Sequence, residues 1–458
     1  MPFSMSGSSI ELLFPYHAWD RSLWFDLLAL LWIGVFFDST RPFSLRNLDL
    51  VMVAALAPLG DYELGPLQVT TILGWIPALY LALRLTVIAA GGAAYPLQPR
   101  VSSKTLEKLA VAGLFYAMVL AVVAPYPFGK VGDPKWSLSE SGLVGALGAR
   151  EFLAGRLPYE RPLGPPDRPR VYAIYGPAYF ATYLPAAALF GVREPFGDAA
   201  PAVRATTLAL LVLGFVGVHV LGASLGGRAG SSAAVFTWSV LPYVPHAAYW
   251  SWGGHLLPAV VTVWFLAALA ARWWSWAGIL LGLAAGAALY PAVLLPIALV
   301  AVAVPHRFEF LSGFALALGL SFAPLILSLD GLWSFVEEVR TYAVPGAMPD
   351  WRYQWSPWGQ FPSLWPARKA LETAFPVVLL GLTALTWRRG ARPDAGTGSA
   401  LVTVVAACGA AVAAAQLFKV HAPGRMVLWI VPFVLAAACA SPAADHPGPG
   451  DAAVREPT

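Results

Sequence analysis

Apolar runs of 17 to 25 residues recur along almost the whole chain, separated by short polar interruptions. That length matches a helix crossing about 30 Å of hydrocarbon. Most of the runs show no polar face at helical period, which separates them from the amphipathic core helices of a soluble protein. Candidate spans fall at 22–37, 47–60, 66–92, 106–125, 171–191, 202–225, 231–249, 255–271, 275–289, 291–304, 309–329, 371–387, 398–417 and 423–440. The second, ninth and tenth are short, and each reads as a full span, a re-entrant segment or a half-span. The pattern predicts an all-α fold, a polytopic transmembrane helical bundle of about 11–14 spans.

Two polar stretches break the rhythm, at 126–170 and 330–372. Loops of this length in a compact protein are functional or disordered, and both are too rich in Trp, Tyr and Pro for a disordered linker. The polar, Pro/Gly/Ala-rich tail at 441–458 is expected to be disordered. No internal repeat is evident. Residues 1–105 form an N-terminal transmembrane extension and 106–440 the main transmembrane region.

Composition agrees with the spans. The chain is 58% hydrophobic and 12% charged, about half the charge of an ordinary soluble domain. Its net charge of +4 is what basic cytoplasmic loops leave behind, and it gives no reason to expect a nucleic-acid partner. Cys408 and Cys439 lie in apolar runs and read as small buried residues. The first 21 residues lack a basic segment followed by an apolar one, so no cleaved signal peptide is expected. The expected localisation is the cell membrane, multi-pass and among lipids.

Arg228, Arg272, His306 with Arg307, and the basic cluster at 388–392 occupy alternate short loops and are expected in the cytoplasm. Residues 251–255 and the loop after Asp330 then face outside. Seven candidate spans separate the two long loops, which puts the first of them inside. The two share a face only if one of those seven is split or re-entrant.

The chemistry concentrates in the first long loop and the apolar run after it, GDPKWSLSESGLVGALGAREFLAGRLPYERPLGPPDRPRVYAIYGPAYFATYLPAAALFG (132–191). Glu140 precedes Gly142, Gly145 and Gly148, whose spacing of three makes a smooth strip on a helix for another helix or a lipid chain. Gly155, Pro158 and Tyr159 stop that helix, and Tyr175-Gly176-Pro177 opens the next apolar run. An amphipathic juxtamembrane helix carrying a carboxylate suits chemistry on a lipid-borne substrate. The three glycines are not a dinucleotide fingerprint, because no strand precedes them.

The order acidic residue, GxxGxxGA, "LAGRLPY", "YGPAYF", "LFG" resembles the first external loop of glycosyltransferase family 87, within the GT-C group of multi-span, polyprenyl-phosphate-sugar-dependent enzymes. Further pieces are similar in order: "IPALYLALR" (76–84) near the end of an N-terminal extension, "AGILLGLAAGAALYPAVLLP" (277–296), "WSPWGQFPSLW" (355–365) and "KVHAPGRMVLWIVPF" (419–433). The resemblance thus runs along most of the chain. Two departures stand out. Glu140 replaces the usual Asp, and Ala288 replaces the lysine of the family's K-x-x-P span.

The resemblance implies a GT-C fold and an inverting hexosyltransferase. It would move a hexose, mannose in the first instance, from a polyprenyl-phosphate carrier to an extracytoplasmic glycan, lipid or protein acceptor. Such chemistry needs a carboxylate within hydrogen-bond reach of the acceptor hydroxyl. Glu140 is the first candidate and Asp133, in a Gly-Asp-Pro turn, the second; a solvated loop acid is the alternative for each. The leaving phosphate needs cations, for which Arg352, Lys419, His421 and Arg425 are candidates, against simple snorkelling at the interface. Trp355, Trp358 and Gln360 in an aromatic-rich loop suit a sugar ring or an interfacial belt. Tyr159, Tyr175 and His255 complete the candidate substrate contacts. No DxD motif or His/Cys cluster with ligand spacing occurs, so no obligatory metal or other cofactor is expected. The competing readings are a transporter or flippase of lipid-linked sugars and a non-catalytic envelope scaffold. The transporter reading looks to intramembrane charges, of which Asp26 and Arg84 are the clear cases. The scaffold reading rests on Ala288.

Overall fold

A computed structural model of the chain describes residues 23–56, 63–64, 67–92, 98–123, 139–160, 163, 174–192, 199–251, 253–343, 358, 361–390, 397–418 and 428–439. Helices dominate it: α1 (Leu23–Phe36), α2 (Leu45–Ala55), α3 (Val69–Ala89), α4 (Ser103–Val123), α5 (Glu140–Leu153), α6 (Pro177–Phe190), α7 (Ala199–Val240), α8 (Tyr243–Trp250), α9 (Gly253–Ala270), α10 (Trp274–Ala287), α11 (Leu295–Ala301), α12 (Arg307–Ile326), α13 (Leu329–Ala343), α14 (Trp365–Gly390), α15 (Thr397–Leu417) and α16 (Val431–Cys439). A 3-10 turn over Tyr290–Leu294 leads into α11, and a two-residue antiparallel ladder pairs Glu63–Leu64 with Leu67–Gln68. Among the described residues, six helical segments are long and apolar enough to cross a membrane, and four shorter apolar helices accompany them. The chain is an all-α polytopic bundle, as the hydrophobic pattern predicts.

The basic loops gather at one end. Arg228 bonds Glu107 in the first turns of α4, and His306 stacks on Trp274 at the start of α10. Arg307 lies 5.2 Å above the Trp387 ring near the end of α14, and Arg389 donates to the Ala90 carbonyl just beyond α3. Arg100 donates to Ser39 between α1 and α2. This clustering is what a positive-inside bias produces.

Local chemistry sets the passages between this end and the other. In α7, Gly226 and Gly227 leave the helix; Gly227 has φ 57°, a left-handed conformation that glycine adopts without steric cost. The 42-residue element is thereby two arms folded back at Arg228. A Cβ on Gly222 or Gly230 would come within 2.6 Å of the other's carbonyl, so glycines let the arms touch. The parallel pair α10 and α12 uses the same device. Gly278, Gly282 and Gly286 abut the Phe310 carbonyl, the Phe314 carbonyl and Ser321 in turn. A small-residue stripe of this kind lets helix backbones approach closely in lipid, where packing rather than the hydrophobic effect holds helices together.

These contacts decide the parity of the two long loops. The Gly176 amide donates to the Ala287 carbonyl at the end of α10, away from the basic loops. Gly142 abuts both the Ser251 carbonyl, just before α9, and Val203 in the first turns of α7. A Cβ on Gly254 would lie 2.5 Å from the Tyr175 hydroxyl, so the start of α9 and the end of α10 are neighbours. The chain therefore leaves Gly176 and returns to Val203 at the same end. Helix α6, 14 residues and about 21 Å long, dips into the bundle without crossing it. The apparent span at 171–191 is the one that does not cross. The remaining passages are the first arm of α7, its second arm with α8, then α9, α10, the 3-10 turn with α11, and α12. They are even in number, so both long loops open on the non-basic end.

Candidate functional site

Helix α5 begins where Ser139, in extended conformation, accepts the Gly142 amide on its hydroxyl at 3.0 Å, an N-cap. The same residue ties the helix to the corner before α9. The Ser139 amide donates to the Trp250 carbonyl and its hydroxyl to the Ser251 carbonyl, both at 3.0 Å. Glu140 is the first residue of α5 and is thus fixed, through its backbone, against that corner.

Residues 141–149 are all buried, so α5 is enclosed rather than laid on a surface as an amphipathic helix. The physical reason is the glycine strip. A Cβ on Gly145 would lie 2.4 Å from the Tyr183 ring, and one on Gly148 would lie 2.1 Å from the Phe180 ring. The partner of Gly145 and Gly148 is helix α6, while Gly142 meets the Ser251 carbonyl and Val203.

Tyrosines at spacing four run from Tyr175, just before α6, onto the helix at Tyr179 and Tyr183. The Tyr175 and Tyr179 rings are 4.3 Å apart, and Tyr179 meets Tyr183 at 5.3 Å. The Tyr179 hydroxyl donates to the Ser141 carbonyl at 2.5 Å and lies 3.2 Å from that of Tyr183. Gly253 and Gly254 leave room for these hydroxyls at the start of α9.

Tyr159, a candidate substrate contact, is instead part of the frame. It is buried, donates to the Tyr175 carbonyl at 2.7 Å, and packs edge-on against Phe180 and Phe335. Burial raises its phenol pKa well above the ordinary value. Phe335 belongs to α13, and Leu157 meets Gly331 on the same helix. The first long loop therefore touches the helix that opens the second.

Beside this frame, the Glu151 carboxylate is 0% exposed. Arg150 and Arg156 hold it at 2.9 and 2.8 Å. A buried carboxylate needs such pairing, and the pair locks the turn from α5 towards Tyr159.

A second aromatic group adjoins the α9 corner. The His255 and Trp429 rings are 5.8 Å apart, and Trp429 stacks on Tyr290 at 3.8 Å with 9° between planes. Ala288 ends α10 in extended conformation and is buried. Trp358 packs elsewhere. Its indole donates to the Leu417 carbonyl at 3.1 Å and meets Trp75 edge-on, while Arg368 donates to the Phe418 carbonyl. Trp75, Trp358 and Arg368 thus satisfy the carbonyls at the end of α15. An apolar groove of about 720 Å³ runs between α6, α10 and α12, lined by Phe152, Pro177, Ala178, Leu283, Leu316 and Leu320 among others. The three leucines are exposed on the outside of the bundle.

Of the candidates, the Glu140 backbone, Tyr175 and His255 all lie beside the α9 corner, whereas Tyr159 and Trp358 serve as internal fastenings. Asp133, Arg352, Trp355, Gln360, Lys419, His421 and Arg425 lie outside the described residues. Among the described residues, no group of three His, Cys, Asp or Glu side chains is placed to hold a metal ion. The frame also uses Ser139, Ser141, Glu151, Tyr179, Tyr183, Tyr290 and Trp429. The tyrosine ladder was readable from its spacing, but the others carry no local signal. No known family, characterised protein or solved structure matches this chain.

Proposed function

We propose that this protein is an integral membrane glycosyltransferase. It moves a hexose, mannose in the first instance, from a polyprenyl-phosphate carrier to a glycan, lipid or protein acceptor outside the cytoplasm, in the cell membrane. The observation that supports this best is the placement of the first residue of α5. Glu140 is held by Ser139 against the α9 corner, at the end of the bundle shared by both long loops. The groove between α6, α10 and α12 adds support, because it begins at Pro177 beside the frame and exposes leucines to the surrounding lipid. A groove of this kind suits an isoprenoid chain.

In this reading the Glu140 carboxylate accepts the proton of the acceptor hydroxyl as that oxygen attacks the anomeric carbon. The bond from that carbon to the phosphate oxygen breaks, polyprenyl phosphate leaves, and the configuration inverts. Asp133 is the alternative base. Ala288 supplies no cation for the leaving phosphate, which falls to Arg352, Lys419, His421 or Arg425.

The test uses membranes holding the protein and a labelled polyprenyl-phosphate hexose. Wild type transfers label, and Glu140→Gln slows transfer by about 10²–10⁴-fold, the usual contribution of a general base. Equal transfer by Glu140→Gln and Asp133→Asn removes the loop carboxylates from the mechanism. A flippase of lipid-linked sugars is the second reading, since a lipid groove serves translocation as well as catalysis. Movement of labelled lipid between leaflets with no transfer, for every donor tried, selects it. A non-catalytic scaffold would give neither.

A further inference from the structure

A cleft of about 70 Å³ lies between α1, α2, α3, the second arm of α7, and α16, running from Arg46 near the basic end inward to Val431. Its walls are apolar, with Trp32, Leu50, Leu85 and Val434 among them, but three charged residues also line it: Arg46, Asp49 and Arg84. Arg46 and Asp49 are one turn apart on the inner face of α2, and Arg84 faces them from α3.

The charges do not cancel. Asp49 takes Arg84 on both carboxylate oxygens at 3.0 Å and the Tyr80 hydroxyl at 2.6 Å, which neutralises that pair. Arg46 remains. One terminal nitrogen donates to the Phe36 and Gln98 carbonyls at 2.9 and 2.7 Å, but these are neutral acceptors. Its Nε is shielded from solvent and has no acceptor. Asp38, nearby, accepts from the Thr40 amide and hydroxyl, which lower its pKa; Arg46 helps to lower it through space, but no direct ion pair joins the two among the described residues. A buried guanidinium nitrogen without an acceptor is costly in an apolar setting, so an anion here gains what no described side chain provides.

The basic loops cluster at the Arg46 end, and Arg46 stands in the first turn of α2 while Arg84 lies deeper along α3. The cleft is elongated between helices and apolar along most of its lining, which suits a polymethylene chain. Just outside it, Leu48, Val51, Leu83 and Val87 are exposed on α2 and α3 and give the rest of such a chain an apolar path. We propose that this cleft binds one anionic phospholipid, its phosphate against Arg46 and the end of one acyl chain in the slot between α2, α3 and α16. The site is independent of the glycosyltransferase reading.

The test is native mass spectrometry of the full chain in detergent, with phosphatidylglycerol and phosphatidylcholine of identical acyl chains. Both lipids present a phosphate, but the choline ammonium cancels its charge, so wild type retains one phosphatidylglycerol at collision energies that strip phosphatidylcholine, with at least about tenfold tighter binding from the uncancelled anion facing Arg46. Arg46→Gln brings the ratio of the two lipids to about one. Ala438→Phe, which fills the slot from α16 and keeps the charge, removes the retained lipid. Equal retention of both lipids by wild type overturns the proposal, as does an undiminished preference in Arg46→Gln. If Arg46→Gln does not fold, because its two carbonyl contacts are lost, Ala438→Phe decides alone, and a retained phosphatidylglycerol in that variant overturns the site.

Discussion

Replacing Gly142 by alanine tests whether the base of α5 is held as tightly as the contacts indicate. In an unencumbered helix the change would be favourable by at most about 1 kcal/mol, because alanine has the better helix propensity. Here the new Cβ meets the Ser251 carbonyl at 2.6 Å and Val203 Cγ1 at 2.7 Å. The Ser251 carbonyl cannot give way cheaply, since it already accepts the Ser139 hydroxyl at 3.0 Å and the Gly253 amide at 2.8 Å. Overpacking against a fixed neighbour costs about 1–3 kcal/mol, and a broken Ser139 bond about 1 more. The net expectation is a loss of about 1–3 kcal/mol. Gly319→Ala is the control, because nothing lies within 4 Å of a Cβ at that helical position; it should be neutral or slightly stabilising. Cys408 and Cys439 are both buried, so a thiol-reactive dye reports unfolding directly. Gly142→Ala should expose the thiols at lower temperature than wild type, and Gly319→Ala should not. If the two variants melt together, α5 is not locked to the α9 corner and the placement of Glu140 loses its support. Under the proposed function the same variant should also lose transfer, since a misplacement of about 1 Å can cost on the order of 10²-fold in rate.

Two further substitutions probe the frame. Glu151→Gln leaves Arg150 and Arg156 without their shared carboxylate. Breaking a fully buried pair costs about 3–5 kcal/mol, but these arginines are 31% and 48% exposed, so a loss of about 1–3 kcal/mol in the same melt is expected after screening. A melt unchanged from wild type would mean the ion pairs are incidental. Tyr159→Phe removes the bond to the Tyr175 carbonyl and should cost about 0.5–1.5 kcal/mol, the net worth of one hydrogen bond. Because the folded-state pKa of Tyr159 lies above that of the unfolded chain, its protonated form contributes stability below about pH 10. That contribution is lost as pH rises from there towards the folded value. Wild type should therefore lose stability above about pH 10 more steeply than Tyr159→Phe, and parallel profiles would refute the assignment.

The spans were legible because apolar length alone signals them, and the basic loops because positive charge marks one side. What the sequence could not show was which apolar run stops short. The run at 171–191 is as apolar as its neighbours, and nothing local announces that the Gly176 amide is bonded to the end of α10 while Val203 returns to the same place. That information lies in contacts between residues distant along the chain. The glycine strip at 142, 145 and 148 was readable as a close-packing surface, but its partner was not. Tyr183 and Phe180 fill it at Gly145 and Gly148, so the helix is enclosed where an amphipathic surface helix was expected. Tyr159 and Trp358 looked like substrate contacts because aromatic residues in polar loops serve binding and anchoring equally well. Their polar atoms turn out to be spent on the Tyr175 and Leu417 carbonyls. Arg84 was legible as an intramembrane charge, yet its partner Asp49 was not, being on a different helix.

Everything proposed for the site depends on the two long loops opening on one face. Single cysteines placed by Glu160→Cys, in the first loop, and Ser363→Cys, before α14, test this in a background carrying Cys408→Ala and Cys439→Ala. Arg272→Cys and Arg388→Cys serve as reporters of the basic end, and all four positions are exposed. A membrane-impermeant maleimide added to intact cells should label the first two together and reach the basic-end pair only after lysis. Labelling of Glu160→Cys and Ser363→Cys from opposite sides of the membrane would mean that the run at 171–191 crosses after all, and the shared site could not exist.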